Sequence, residues 1–286
     1  MNIVGRIIME NVINNDLNIP RIFLGTGPFH EIGDYKFPEL RTIYAVSKGI
    51  RMGYGIDCAV AYGNHRQIAR GIQASGVKRE EIFVTSKLYN TQQDNNVKNH
   101  YNVMCQELKV KYLNLLLQHW PQVSTYINAW KQMEELYFEN RINYIGMANV
   151  EISHLAEIDN KCNILPHVIQ IERNPFNTQV ELVSFCKEKG IYVQAYSPVG
   201  RMNNELIGQT VFKKLTLKYK KTIPQIILRW QVQTGVIPVV RSIRRKRIAE
   251  NINIWDFELA DEEIKEILDL NRNYKIYDPR KYARYY

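Results

Sequence analysis

Short apolar runs alternate along the chain with longer segments in which apolar residues recur at helical spacing. That alternation predicts strands joined by helices. The runs are RIFLG (21–25), YGID (54–57), IFVTS (82–86), LNLLLQ (113–118), INYIGM (142–147), HVIQIE (167–172), IYVQAY (191–196) and VIPVV (236–240). Helical stretches between them include 39–48, 65–75, 97–110, 129–139, 179–188 and 224–233. Eight is the strand number that closes a barrel, so the expected fold is α/β, a single-domain (β/α)8 TIM barrel. The domain spans residues 1–286, with an N-terminal extension of about 1–19 and a C-terminal tail of about 271–286. A doubly wound open sheet would alternate in the same way, and the polar residues separate the two.

In a barrel all strand ends open on one mouth, where chemistry gathers. Reading at or just past each run gives Thr26, Asp57, Lys87, His119, Asn149, Gln170, Tyr196 and Arg241. Each alone reads as a satisfied loop residue, whereas a ring of eight polar side chains on one rim favours a site.

Composition narrows the class. A chain of 286 residues that is 45% hydrophobic, with no Pro/Gly/Ser-rich linker, can bury one large core. Cys58, Cys105, Cys162 and Cys186 are far apart and show neither a CxxC pair nor zinc spacing, which points to a reduced, cytoplasmic protein. The opening MNIVGRIIMENVINN carries only a short apolar run broken by Arg6 and Glu10, and no later run reaches membrane-spanning length, so no membrane partner is expected. The net charge of +9 is spread along the chain except at 241–247, RSIRRKR. A nucleic-acid partner is therefore set below a small anionic ligand or simple solubility.

Asp57 and Tyr62 lie in GIDCAVAYGN, Lys87 in VTSKL and His119 in LLLQHWP. Together they can form a proton-donating device. Tyrosine ionises near pH ~10, too high for ready donation, and an adjacent ammonium lowers that value by stabilising phenolate. Asp57 would keep Lys87 charged and aimed, and a neutral His119 would orient a carbonyl oxygen. Taken singly, Asp57 with Lys87 reads as a barrel-end salt bridge, His119 as a core imidazole and Tyr62 as a loop aromatic. The joint pattern raises the catalytic reading above these. GxGxxG, Walker A, HExxH and GxSxG are all missing, which disfavours a Rossmann site, a P-loop, a zincin or a nucleophile elbow.

The segments GIDCAVAYGN, REEIFVTSKL, LLLQHWP, AYSPVGR and RSIRRKRIAENINIWDFEL, in that order, resemble the signature segments of the aldo-keto reductase family. The resemblance implies an enzyme that binds NADPH/NADP+ in an extended pose and reduces a small-molecule carbonyl substrate. Asp57, Tyr62, Lys87 and His119 match the family's catalytic tetrad. By the same resemblance Asn149 and Gln170 hold the carboxamide, Tyr196 stacks on the nicotinamide, and Thr26 and Ser197 lie along the cofactor. Arg241, Ser242, Arg247 and Asn251 match the segment that grips the adenosine phosphate and adenine, and guanidinium groups suit a 2′-phosphate through paired hydrogen bonds.

Gly27, Phe29 and Trp120 fall on the substrate pocket, and the family habit implies a monomer. The chain departs from the family pattern at Ala148, where serine is usual, at Val150 for phenylalanine, at Arg241 for lysine and at Gly27 for tryptophan. Gly27 should widen the entrance unless Phe29 fills it. The aromatic, basic tail NRNYKIYDPRKYARYY either folds over the mouth or frays. Ala148 and Gly27 leave a second reading open, a nucleotide-binding sensor or scaffold of the same fold with little turnover.

Overall fold

The structure, a computed structural model, describes residues 18–27 and 38–277. Eight parallel strands pair in sequence order and close on themselves: β1 Phe23–Gly25, β2 Gly55–Asp57, β3 Val84–Leu88, β4 Leu113–Gln118, β5 Ile142–Ala148, β6 Val168–Glu172, β7 Tyr192–Tyr196 and β8 Val236–Arg241. Closure joins β1 to β8, with Gly25 opposite Arg241. Helices α1 Pro38–Arg51, α2 His65–Ser75, α3 Val97–Leu108, α4 Tyr126–Phe138, α5 Ile152–Lys161 and α6 Val180–Glu188 follow β1 to β6 in turn. After β7 come α7 Asn204–Ile207, α8 Thr210–Tyr219 and α9 Ile223–Gln233, and after β8 come α10 Arg245–Ile252 and α11 Asp261–Leu268. The open-sheet alternative is thereby excluded.

The strands are apolar on both faces because helices cover the outside and side chains fill the inside. Outward residues such as Leu24, Ile56, Leu116, Ile145 and Ile169 pack against the helices. Inward residues Phe23, Phe83, Leu115, Leu117, Val168, Ile237 and Val239 form an apolar floor, with Phe23 and Phe83 edge to face at 5.4 Å. The floor is tight enough to need a glycine: a Cβ on Gly55 would come within 2.4 Å of the Phe23 ring. Above the floor the inward positions turn polar and carry Asp57, Lys87, Gln170 and Gln194, all buried. Burial on that scale requires internal partners, and these partners build the site.

Local signals set the helix ends. Thr222 opens α9 with a reciprocal cap, its amide donating to Gln225 Oε1 at 3.0 Å, and Pro224 occupies the first turn. No described helix is long and apolar enough to cross a membrane.

Candidate active site

Lys87 is wholly buried inside the barrel, and its ammonium donates to both Asp57 oxygens at 2.7 Å and to the Cys58 carbonyl at 3.1 Å. Gln170 adds a donor from across the barrel, Nε2 to Asp57 Oδ1 at 2.8 Å, and the same nitrogen reaches Gln194 Oε1 at 2.9 Å. The aspartate thus ties β2, β3 and β6 together. Tyr62 ends a 3-10 turn, Val60–Tyr62, and Gly63 at φ 62° swings the chain into α2. This turn hangs the phenol over the mouth, its ring centroid 5.4 Å from Lys87 Nζ. His119 follows β4 directly and meets the Tyr62 ring edge to face at 5.8 Å. All four expected catalytic residues therefore converge.

The electrostatics of the group differ from expectation in one respect. Burial raises the Tyr62 phenol above its ordinary value; Lys87 pulls it down, but Asp57, Cys58 and Tyr277 add to the rise. The expected lowering by Lys87 is present but outweighed, because the phenol is also desolvated. Burial disfavours the Lys87 charge, yet Asp57 and Tyr62 more than compensate, and its value is raised. Burial and the Lys87 charge push His119 down to about 3, so its imidazole is neutral at physiological pH. Its Nδ1 atom is buried and has no hydrogen-bond partner among the described residues. A neutral ring with an unsatisfied nitrogen beside a protonated phenol is suited to receive a polar ligand atom.

The expected cofactor residues line the rim unevenly. Asn149, at φ 58°, donates Nδ2 to the His119 carbonyl at 2.8 Å and accepts the Tyr196 hydroxyl at Oδ1 at 2.7 Å. Its amide is thus already held within the protein, and the arrangement joins the β4, β5 and β7 ends. Thr26 is fully buried, and its hydroxyl donates to the Asp57 carbonyl at 3.0 Å, which makes it first of all a strap between β1 and β2. Ser197 adopts φ 49° in the turn after β7, and Arg201 and Met202 follow at φ 52° and 55°. Such backbone conformations gather where a loop is shaped for a ligand. Ser242 is buried and accepts the Arg244 amide at 3.2 Å; Arg241 and Arg247 are exposed, and Asn251 is half-buried on α10.

On the substrate side, Trp120 is buried beside His119. Gly27 lies between Arg241 and Tyr62: a Cβ there would stand 3.5 Å from Arg241 Nη1 and 3.8 Å from Tyr62 Cζ, both ordinary van der Waals separations, so the glycine borders the phenol. Phe29 lies outside the described residues.

Several contributors carried no sequence signal that distinguished them from ordinary core or loop residues. Glu172, buried at the end of β6, accepts the Ile276 and Tyr277 amides at 2.8 Å each. The Tyr277 ring then meets Tyr196 edge to face at 5.7 Å, and the Arg201 guanidinium lies 4.6 Å above the Tyr277 ring. The start of the tail, as far as Tyr277, therefore folds over the rim. A cavity of about 510 Å³ opens on this side, bounded by Asn149, Tyr196, Glu172, Lys275 and Tyr277. It shares Asn149 and Tyr196 with the expected nicotinamide site.

Comparison with known proteins adds a family. A model of the Aldo/keto reductase family matches residues 21–272. A glyoxal reductase of Bacillus subtilis is 38% identical over 81% of this chain and 84% of its own length. A 9,11-endoperoxide prostaglandin H2 reductase of Trypanosoma cruzi is 34% identical over 92% of each. A Bombyx mori aldo-keto reductase, solved in complex with NADP, superposes with a TM-score of 0.86 at 33% identity, covering 93% of this chain and 94% of that one.

Proposed function

The chain belongs to the aldo/keto reductase family, and on that premise we propose that it reduces an aldehyde or ketone to the alcohol with NADPH, Tyr62 supplying the proton. The observation that carries this reading is the buried Lys87–Asp57 pair set beside the Tyr62 phenol and the neutral His119 ring.

When bound, NADPH would supply a hydride to the carbonyl carbon. Tyr62 would give its proton to the carbonyl oxygen as the C=O π pair moves there. Lys87 stabilises the phenolate left behind, Asp57 keeps the ammonium charged and in place, and solvent later restores the tyrosine proton. His119 hydrogen-bonds the same oxygen and fixes the angle of the carbonyl.

The residues present fit the cofactor. Arg241 at the end of β8 and Arg244 and Arg247 at the start of α10 carry guanidinium donors, the chemistry a 2′-phosphate requires. Gln194 Nε2 is a buried donor without a partner among the described residues, so the polar layer retains hydrogen-bonding capacity. Gln170 and Asn149 would hold the carboxamide, Tyr196 would offer its ring face, Thr26 and Ser197 would flank the dinucleotide, and Ser242 and Asn251 would join the arginines. Gly27 and Trp120 border the substrate. The protein is read as a cytoplasmic monomer.

The second reading, a nucleotide-binding protein with little turnover, draws on Tyr277 packed against Tyr196, where nicotinamide would stack. One experiment separates the two. NADPH deuterated at the reactive C4 position is incubated with the protein and a panel of aldehydes, ketones and 2-oxoaldehydes. Deuterium on the alcohol carbon of a product supports the reductase. NADPH binding without labelled product across the panel overturns it.

A further inference from the structure

Behind the tetrad, on the outer face of β3, three polar side chains form a hydrogen-bonded chain. His65 Nδ1 lies 2.8 Å from Glu107 Oε2, and His65 Nε2 lies 3.1 Å from Ser86 Oγ. Ser86 is fully buried and His65 is 4% exposed, while the Glu107 side chain reaches solvent at 42%. A carboxylate only accepts, so Glu107 holds the proton on Nδ1 and leaves Nε2 to accept from the Ser86 hydroxyl. The order serine, histidine, acid is that of a nucleophile relay. A serine with no exposed surface can attack nothing, however, and the chain acts by position instead.

Its place in the sequence shows what it positions. His65 is the first residue of α2, three residues after Tyr62, and Ser86 immediately precedes Lys87 in β3. Upstream, the Cys58 amide binds the Thr85 carbonyl at 3.0 Å; downstream, Asn64 Nδ2 binds the Thr26 carbonyl at 2.7 Å. The entrance of the Tyr62 turn is also tied to β3 by the Cys58 thiol on the Thr85 carbonyl at 3.0 Å and by Lys87 Nζ on the Cys58 carbonyl at 3.1 Å, and the His65–Ser86 contact ties its exit to the same strand.

We propose that His65, clamped between Glu107 and Ser86, is a positioning residue that sets the separation between the Tyr62 phenol and the Lys87 ammonium. The inference rests on the reading of Tyr62 as proton donor for its consequence in catalysis, but the separation itself does not. Coulombic attraction weakens as the separation grows, and an active site loosened by about 1 Å loses much of its tuning. The groups facing Tyr62 are Asp57 and Cys58 from β2 and the turn after it, Lys87 from β3, His119 after β4, Tyr277 from the tail and Arg241 from β8. Of these groups only Lys87 shares a strand with Ser86, and the Ser86 hydroxyl also interacts with the Cys58 thiol.

The test places a ring-fluorinated tyrosine, whose phenol titrates in a lower range, at position 62 and follows it by 19F NMR in the full-length protein. Ser86→Ala and His65→Leu should move its titration upward by about one unit as Lys87 is drawn away, with Glu107→Ala moving it in the same direction. His65→Gln, whose amide can donate to Glu107 and accept from Ser86, should restore the wild-type value. In unlabelled protein the first two variants should lower kcat by about tenfold with KM for NADPH unchanged. If His65→Leu fails to fold, Ser86→Ala removes only one hydroxyl and still reads the clamp. An unmoved fluorotyrosine titration in Ser86→Ala and Glu107→Ala overturns the proposal. A protein that shows the shift but reduces no carbonyl overturns the reductase reading alone.

Discussion

Lys87 donates to both carboxylate oxygens of Asp57 at 2.7 Å inside a barrel that leaves neither side chain more than 3% exposed. Two opposite charges taken out of water in this way hold each other, and each becomes a liability without its partner.

Lys87→Met should therefore destabilise the fold by about 3–5 kcal/mol, because Asp57 would remain as an uncompensated buried charge. Lys87→Met combined with Asp57→Asn should recover much of that loss, although neither protein would turn over. Denaturant unfolding of the two variants beside wild type reads the difference. Equal losses in the single and the double variant would show that the pair is not coupled.

The sequence makes the barrel and the convergence of Asp57, Tyr62, Lys87 and His119 legible but only part of the rim. Each of the eight apolar runs became a strand, because strands buried on both faces must be apolar almost throughout and so stand out. Asp57, Lys87 and His119 were visible as polar residues at strand ends, and Tyr62 through the motif around it. The Asn149–Tyr196 bond and the grip of Glu172 on the tail were hidden, because they join segments 47 and 105 residues apart through loop conformations that local pattern does not encode. The net rise at Tyr62 was missed for a related reason: proximity to Lys87 is implied by the motif, whereas the degree of desolvation depends on the packed mouth.

His119 gives a pH signature. Its folded value of about 3 lies below the ordinary 6.5, so the unfolded chain binds this proton more readily. Its contribution to stability is present above about 6.5 and is lost as pH falls toward 3. Stability measured against pH should decline more steeply through that window in wild type than in His119→Asn. Matching slopes would mean that the imidazole is not held neutral by the fold.

The tail should be released by one substitution. Glu172→Ala removes the acceptor of two amides, at a cost of about 1–3 kcal/mol for each group left unsatisfied. Hydrogen exchange at Ile276 and Tyr277 should accelerate by at least about tenfold while the barrel strands keep their protection. Unchanged exchange at those two amides would show that other contacts hold the strap.

Arg241→Ala and Arg247→Ala should raise KM for NADPH and leave KM for NADH nearly unchanged, since the two cofactors differ by the 2′-phosphate that guanidinium groups hold in paired hydrogen bonds. The effect should shrink at high salt. Steady-state kinetics with both cofactors at two ionic strengths supply the check, and a parallel rise in both KM values would remove these arginines from the phosphate site.

Proton donation by Tyr62 is tested most directly by a single-turnover measurement with Tyr62→Phe, which removes one oxygen and keeps the ring against His119. Enzyme in excess is loaded with NADPH and mixed with an aldehyde that wild type reduces. The hydride-transfer rate should fall by about 10²–10⁴-fold while the Kd for NADPH, read by fluorescence, stays at the wild-type value. Turnover by Tyr62→Phe at the wild-type rate would contradict the account.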